Sequence, residues 1–127
     1  MLAAVSCGTS PTGPTTTLKS TDLRIGDGAS AASGNTITVH YTGWLYDPTK
    51  ADLKGLQFDT SRGGDPFAFV LGGGQVIKGW DQGIVGMQVG GLRQLIIPSS
   101  LAYGNVRYQS IPPYATLVFE VELLSVQ

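Results

Sequence analysis

Few side chains in this sequence could carry conventional covalent or acid–base chemistry. His40 is the only histidine and Cys7 the only cysteine. Cys7 falls in a polar N-terminal stretch, which argues against a thiolate–imidazole pair. One imidazole without companion ligands seldom holds a metal, and alternation along its segment puts His40 on an outward strand face as a surface residue. Glu120 and Glu122 share the outward face of another strand, which reads as a pair of solvated carboxylates rather than a glycosidase pair. Gly72-Gly73-Gly74 lacks the Gly-Lys-Ser/Thr that completes a phosphate loop and reads as a turn. What remains is a stock of aromatic and aliphatic residues in short motifs. By periodicity alone Tyr41, Phe67, Trp80 and Phe119 are core, Asp59-Thr60-Ser61 is turn chemistry, and Tyr103 caps a loop.

These residues need elements to position them. Over 36–46 the pattern has period two, with Ile37, Val39, Tyr41 and Leu45 on one face and Thr36, Thr38, His40 and Thr42 on the other. That is a half-buried strand rich in β-branched residues. Residues 46–57 contain Pro48, Gly55 and alternating charges and read as an exposed loop. A second strong strand over 116–126 turns Leu117, Phe119, Val121 and Leu123 inward, and a third over 92–97 buries Leu95 and Ile97. Weaker strands are expected over 18–25 and 67–71. Only Ile77, Trp80 and Ile84, at i, i+3 and i+7, suggest a helix, with Asp81 placed near its positive end. Gly79 and Gly83 lower its intrinsic propensity by about 1 kcal/mol each, so its Trp must pack against a sheet for it to persist. Several antiparallel strands and one short helix make an α+β domain.

The whole chain is compatible with that reading. Its 127 residues suit one domain, and 18 glycines with seven prolines imply many turns. Charged residues are only 13% and the net charge is −1, with no basic run to offset phosphate, so nucleic-acid binding is not expected. No apolar run reaches the roughly 18 residues of a membrane span. Residues 8–17 are almost wholly Gly, Thr, Ser and Pro and read as a flexible tail, so the folded domain is expected over 18–127. Before them, Leu2-Ala3-Ala4-Val5-Ser6-Cys7-Gly8 resembles the end of a bacterial lipoprotein signal, with Cys7 as the lipid-anchor residue; the other reading is an ordinary tail with an incidental cysteine.

Taken in order, Val39-His40-Tyr41-Thr42-Gly43, Phe58-Asp59-Thr60-Ser61-Arg62, Pro66-Phe67-Ala68-Phe69 and Gln75-Val76-Ile77-Lys78-Gly79-Trp80-Asp81 form a recognisable series. Ala102-Tyr103-Gly104 and the run from Ile111-Pro112-Pro113 to Val121-Glu122-Leu123 complete it. Over about residues 18–126 the chain resembles the FK506-binding-protein family of peptidyl-prolyl cis/trans isomerases, in its small bacterial single-domain form. The resemblance implies a twisted antiparallel sheet of about five strands wrapped around one short helix, with a shallow apolar pocket between them. Carried over by position, Trp80 is the floor, and Tyr41, Phe67 and Phe119 are aromatic walls. Phe58, Val76, Ile77 and Ile111 line the sides, Asp59 and Tyr103 supply polar groups at the rim, and Tyr108 comes from the flap above. The resemblance gives Tyr41, Asp59, Trp80, Tyr103 and Phe119 the catalytic roles and the others substrate binding, with the Ile77 N–H bonding a ligand carbonyl.

Such a site needs no metal or cofactor. The implied partners are proline-containing polypeptides and macrolides such as FK506 and rapamycin, met by a monomer at a bacterial cell envelope or in the cytoplasm. An alternative is a proline-peptide-binding or chaperone module with little isomerase activity. The chain departs from the pattern in its longer 46–57 loop, in a short Arg62-Gly63-Gly64-Asp65 segment without a second arginine to pair with Asp59, and in the flap over 105–110.

Overall fold

The computed structural model describes residues 17–127. Residues 1–16, with Cys7 and nearly all of the expected tail, lie outside them. Six strands are present: β1 (Lys19–Arg24), β2 (Thr36–Tyr46), β3 (Lys54–Thr60), β4 (Phe67–Val70), β5 (Leu92–Ile97) and β6 (Leu117–Val126). They form one antiparallel sheet in the order β1-β5-β6-β2-β3, with β4 also pairing β2. One short α-helix, α1 (Lys78–Gly83), packs on it. This is the antiparallel sheet with a single helix that the pattern predicts.

The strand that the pattern does not announce is β3. Its segment falls partly in the expected 46–57 loop, because Lys54, Gly55 and Gln57 carry no apolar alternation. Lys54–Thr60 nevertheless pairs with the C-terminal half of β2, with Thr42 opposite Thr60 and Tyr46 opposite Lys54. β4 pairs with the N-terminal half of the same edge, Thr36 opposite Val70 through Val39 opposite Phe67. Two short strands thus share one edge of β2. The chain from Ser61 to Pro66 swings away between them, beside His40 and Tyr41.

The core lies between the inner sheet face and α1. Ile37, Val39, Leu95, Ile97, Leu117, Val121 and Leu123 are fully buried, in line with the alternation. Val118 and Ile96 depart from it: both point outward yet are 0% and 7% exposed. Trp44 lies opposite Val118 on β2, and the Lys54 ammonium sits 4.4 Å from the Trp44 ring, so the outer face carries a small apolar patch of its own. The carboxylates there are not merely solvated. Glu120 is paired with Lys54, and Glu122 accepts from Arg24 and Arg62, each at 3.0 Å.

Six residues are too few for a helix to persist by backbone bonding alone. Packing and caps hold α1 instead. A Cβ on Gly79 would lie 2.4 Å from Ile97 Cγ2, and one on Gly83 would lie 2.7 Å from Leu95 Cδ2. The two glycines that weaken the helix by propensity are therefore what let it rest directly on β5. Arg93 of β5 donates from Nη1 to the Gly83 and Val85 carbonyls at 2.8 and 3.0 Å, capping the helix's negative end, while its Nε donates to Asp22 at 2.7 Å. Asp81 lies in the first turn of α1, at its positive end as the sequence suggests, but makes no cap bond to the helix itself. Its carboxylate accepts the Gly72 and Gly74 N–H groups at 2.8 and 3.0 Å and so ties α1 to the preceding turn. Both glycines have positive φ, 81° and 75°, which a residue with a Cβ adopts only under strain.

Gly79→Ala separates propensity from packing. Alanine is favoured in a helix by about 1 kcal/mol, whereas forcing a methyl group into filled space costs about 1–3 kcal/mol. The urea midpoint of the variant is expected to fall below that of the wild type. A midpoint at or above the wild type would show that α1 does not depend on contact with Ile97.

Candidate functional site

The open end of the core is an aromatic cavity of about 270 Å³ between α1, β2, β3 and the chain around Tyr103. Its floor is Trp80, which is 4% exposed. The Tyr41 and Phe119 rings meet the indole nearly edge-on, with centroids at 4.9 and 5.3 Å and interplanar angles of 76° and 85°. Phe67 and Phe69 stand at 6.2 and 5.7 Å from it. Edge-to-face packing sets the positive ring edge against a negative ring face, which fixes orientation as well as burying area. Trp80 Nε1 has no hydrogen-bond partner among the described residues, so this floor offers a ligand mostly ring surface.

β2 sends Tyr41 into the cavity, and Gly43 two residues later makes room beside it. A Cβ on Gly43 would stand 2.7 Å from both Phe119 Cε1 and Phe58 Cζ. Its absence lets Phe58 of β3 and Phe119 of β6 meet at 5.5 Å and 88° across β2. Val76 and Ile77 enter from the segment that leads into α1. The Ile77 carbonyl accepts from Trp80 N–H at 3.0 Å, while its own N–H is bonded to no acceptor among the described residues.

The polar rim has two parts. Asp59 Oδ2 accepts the Tyr41 hydroxyl at 2.8 Å. Asp59 has no ion pair among the described residues, and Arg62 turns instead to Glu122. Tyr103 and Tyr108 stack at 4.4 Å with their planes 3° apart, which extends the aromatic wall into the flap. Burial raises both the Tyr41 and the Tyr103 phenols. For Tyr41, burial and then the bond to Asp59 push its pKa up to about 12. Tyr103 is raised by burial, then by its neighbours Tyr108 and Asp59.

Ten of the eleven residues expected at the site line this cavity: Tyr41, Phe58, Asp59, Phe67, Val76 and Ile77, with Trp80, Tyr103, Tyr108 and Phe119. Ile111 does not. It is 3% exposed and packs in the core cluster with Trp80 and Phe119, and its backbone exchanges two hydrogen bonds with Tyr108 in the flap. Gln75 is the lining residue that the motif reading leaves without a role. Its Oε1 accepts the Val70 N–H at 3.0 Å and so holds the glycine turn against β4. Its place immediately before Val76-Ile77 was the available signal. His40 is not a free surface imidazole: it is half-buried, with Nδ1 at 2.9 Å from Ser61 Oγ.

The held phenol has a consequence at alkaline pH. A tyrosine in the unfolded chain ionises near 10.0 and Tyr41 in the folded protein near 12. Its contribution to stability is therefore whole below pH 10 and lost as pH rises through 12. The stability difference between wild type and Tyr41→Phe, from urea unfolding at a series of pH values, is expected to change across that window. A difference that stays constant would mean that folding does not hold the proton on Tyr41.

An aromatic cavity with a single carboxylate at its rim is poorly equipped for bond cleavage and well suited to enclosing an apolar ring. Known proteins similar to this chain agree. The family model "FKBP-type peptidyl-prolyl cis-trans isomerase" matches residues 28–124. The FK506-binding protein of Neisseria meningitidis serogroup B is 52% identical over 83% of this chain and 92% of its own length. FK506-binding protein 1 of Aspergillus oryzae is 47% identical over 80% of this chain and 90% of its own. The crystal structure of AtFKBP13 superposes with a TM-score of 0.73 at 38% identity, covering 87% of this chain and 93% of that one. Motif order, fold and cavity thus converge, and the chain belongs to the FKBP-type peptidyl-prolyl cis-trans isomerase family and has that enzymatic activity.

Proposed function

We propose that the X–Pro bond rotates in the cavity over Trp80, with the proline ring seated on the indole between Tyr41, Phe67 and Phe119. The observation that carries this reading is the position of Trp80: almost fully buried in the core, yet forming the floor of an open cavity ringed by aromatic edges. Rotation about a peptide bond has a barrier of about 18–20 kcal/mol. Resonance in the planar amide separates charge between oxygen and nitrogen, and twisting the bond removes that separation. Water therefore stabilises the planar ground state more than the twisted transition state. An apolar cavity withdraws this advantage, and such differential stabilisation accelerates the reaction without a nucleophile or base. Each tenfold in rate requires about 1.4 kcal/mol of it.

On this reading Tyr41, Asp59, Trp80, Tyr103 and Phe119 do the work, and Phe58, Phe67, Val76, Ile77 and Tyr108 bind the flanking peptide. The Ile77 N–H takes a substrate carbonyl, which the lack of an internal acceptor supports. Asp59, held in place by the Tyr41 hydroxyl, orients the peptide at the rim. FK506 and rapamycin occupy the same cavity as competitors of the peptide, a reading supported by the FK506-binding relatives. The likeness of Ser6-Cys7-Gly8 to a lipoprotein cleavage box and the Gly/Thr/Ser/Pro composition of residues 8–17 extend the proposal to a lipid-anchored, tethered monomer. Its substrates would be polypeptides folding at a bacterial cell envelope.

The protein should accelerate cis/trans exchange of a short Phe-Pro peptide, and excess FK506 should abolish the acceleration. Asp59→Ala and Tyr103→Phe should each lower kcat/KM by about three- to thirtyfold with little change in the urea midpoint. Wild-type activity from both folded variants would refute this assignment of the rim.

A further inference from the structure

Tyr41 sits where the edge of β2 changes partner. β4 pairs as far as Val39 opposite Phe67, and β3 pairs from Thr42 opposite Thr60. Along an antiparallel edge every second residue exchanges both its N–H and its C=O with the residue opposite, and Tyr41 is one whose groups face this edge. At Tyr41 only half of that exchange is made by backbone: the Ser61 N–H donates to the Tyr41 carbonyl at 2.9 Å. The Tyr41 N–H donates instead to a side chain, Ser61 Oγ, at 2.8 Å. The chain beyond Ser61 is already leaving the sheet, so no carbonyl is in place to receive it.

The direction of the Ser61 hydroxyl follows from its surroundings. The Tyr41 carbonyl accepts from the Ser61 N–H and also from the Thr60 hydroxyl at 3.1 Å, and it lies 3.4 Å from Ser61 Oγ. His40 Nδ1, at 2.9 Å, is the closer acceptor. With the imidazole proton on Nε2, Nδ1 accepts a hydrogen bond from the Ser61 hydroxyl and leaves an oxygen lone pair for the Tyr41 N–H. Three consecutive residues then hold Tyr41 at both ends. Thr60 and Ser61 grip its backbone, and Asp59 accepts its phenol.

We propose that Ser61 is a positioning residue of the isomerase site: its hydroxyl oxygen replaces the missing strand carbonyl opposite the Tyr41 N–H and thereby aims the Tyr41 hydroxyl at Asp59. His40 contributes by accepting the Ser61 hydroxyl's hydrogen bond at Nδ1. Ser61 touches no substrate and acts only through Tyr41. The inference rests on the roles given above to Tyr41 and Asp59.

A double-mutant cycle on the full chain tests it, with kcat/KM for a Phe-Pro peptide as the readout. Ser61→Ala should lower kcat/KM by about three- to tenfold. Ser61→Cys, nearly the same shape but a weak acceptor, should do likewise without endangering the fold. Ser61→Thr, which restores the oxygen, should recover most of the activity. In a Tyr41→Phe background the loss from Ser61→Ala should shrink to within about twofold, because the hydroxyl it aims is already gone. If Tyr41→Phe lowers activity while the folded Ala and Cys variants match the wild type, Ser61 has no positioning role and the reading of Tyr41 stands. If the Ser61 losses persist undiminished beside Tyr41→Phe, Ser61 acts through general packing and the inference is overturned. If Tyr41→Phe is itself as active as the wild type, the reading of the site fails and the inference falls with it.

Discussion

The structure turns on the seating of one indole. Trp80 is the largest side chain that α1 contributes to the core, and the helix is too short to persist without it. Four rings surround it, from β2, β4 and β6. Burial of so large an apolar surface stabilises the domain by about 2–3 kcal/mol. That seat exists only because α1 lies directly on β5, a closeness that Gly79 and Gly83 permit and any larger residue would prevent. Stability and function are therefore joined at one residue. The ring that fastens the helix to the sheet is also the surface on which the cavity rests.

Around this seat, the divided edge of β2 decides where the cavity opens. A single long partner strand would have carried the sheet past Tyr41 and sealed the edge with backbone bonds. Two short partners leave an interval in which the chain turns outward, and Asp59, near the end of β3 and opposite Gly43, meets the Tyr41 phenol beside it. The other wall is fixed by side chains reaching back to backbone. Asp81 and Gln75 bond the turn between β4 and α1 from either end, so that Val76 and Ile77 enter the cavity in a defined conformation.

The outer face contributes differently. Its ion pairs are partly exposed, and such pairs are individually worth about 0–1 kcal/mol. Their positions matter more than their strength. Glu122 holds Arg24 beside β1 and Arg62 just beyond β3, and Glu120 holds Lys54 at the start of β3. The central strand β6 is thereby linked through side chains to β1, to β3 and to the chain just beyond β3, none of which it pairs with directly. Trp44 and Lys54 also shield Val118, so both faces of β6 are covered near its start.

The sequence by itself determined the elements whose residues alternate cleanly. β2, β5 and β6 are legible because every second residue must be apolar to face the core, and the order of the short motifs carried the family and most of the cavity. It could not announce β3. The backbone of Lys54–Thr60 is strand only because β2 offers an unpaired edge, and pairing of that kind leaves little mark on side-chain type. The sequence placed Asp81 in the first turn of α1 but not its partners, the Gly72 and Gly74 N–H groups across the preceding turn. Nor could it show the two backbone hydrogen bonds that Ile111 exchanges with Tyr108, which tie the flap to a residue of the core cluster. Periodicity records which face a residue must turn toward an apolar interior. Which backbone groups remain unpaired at a strand edge, and which side chain reaches them, depends on distances between segments far apart in the chain, and only the folded structure fixes those.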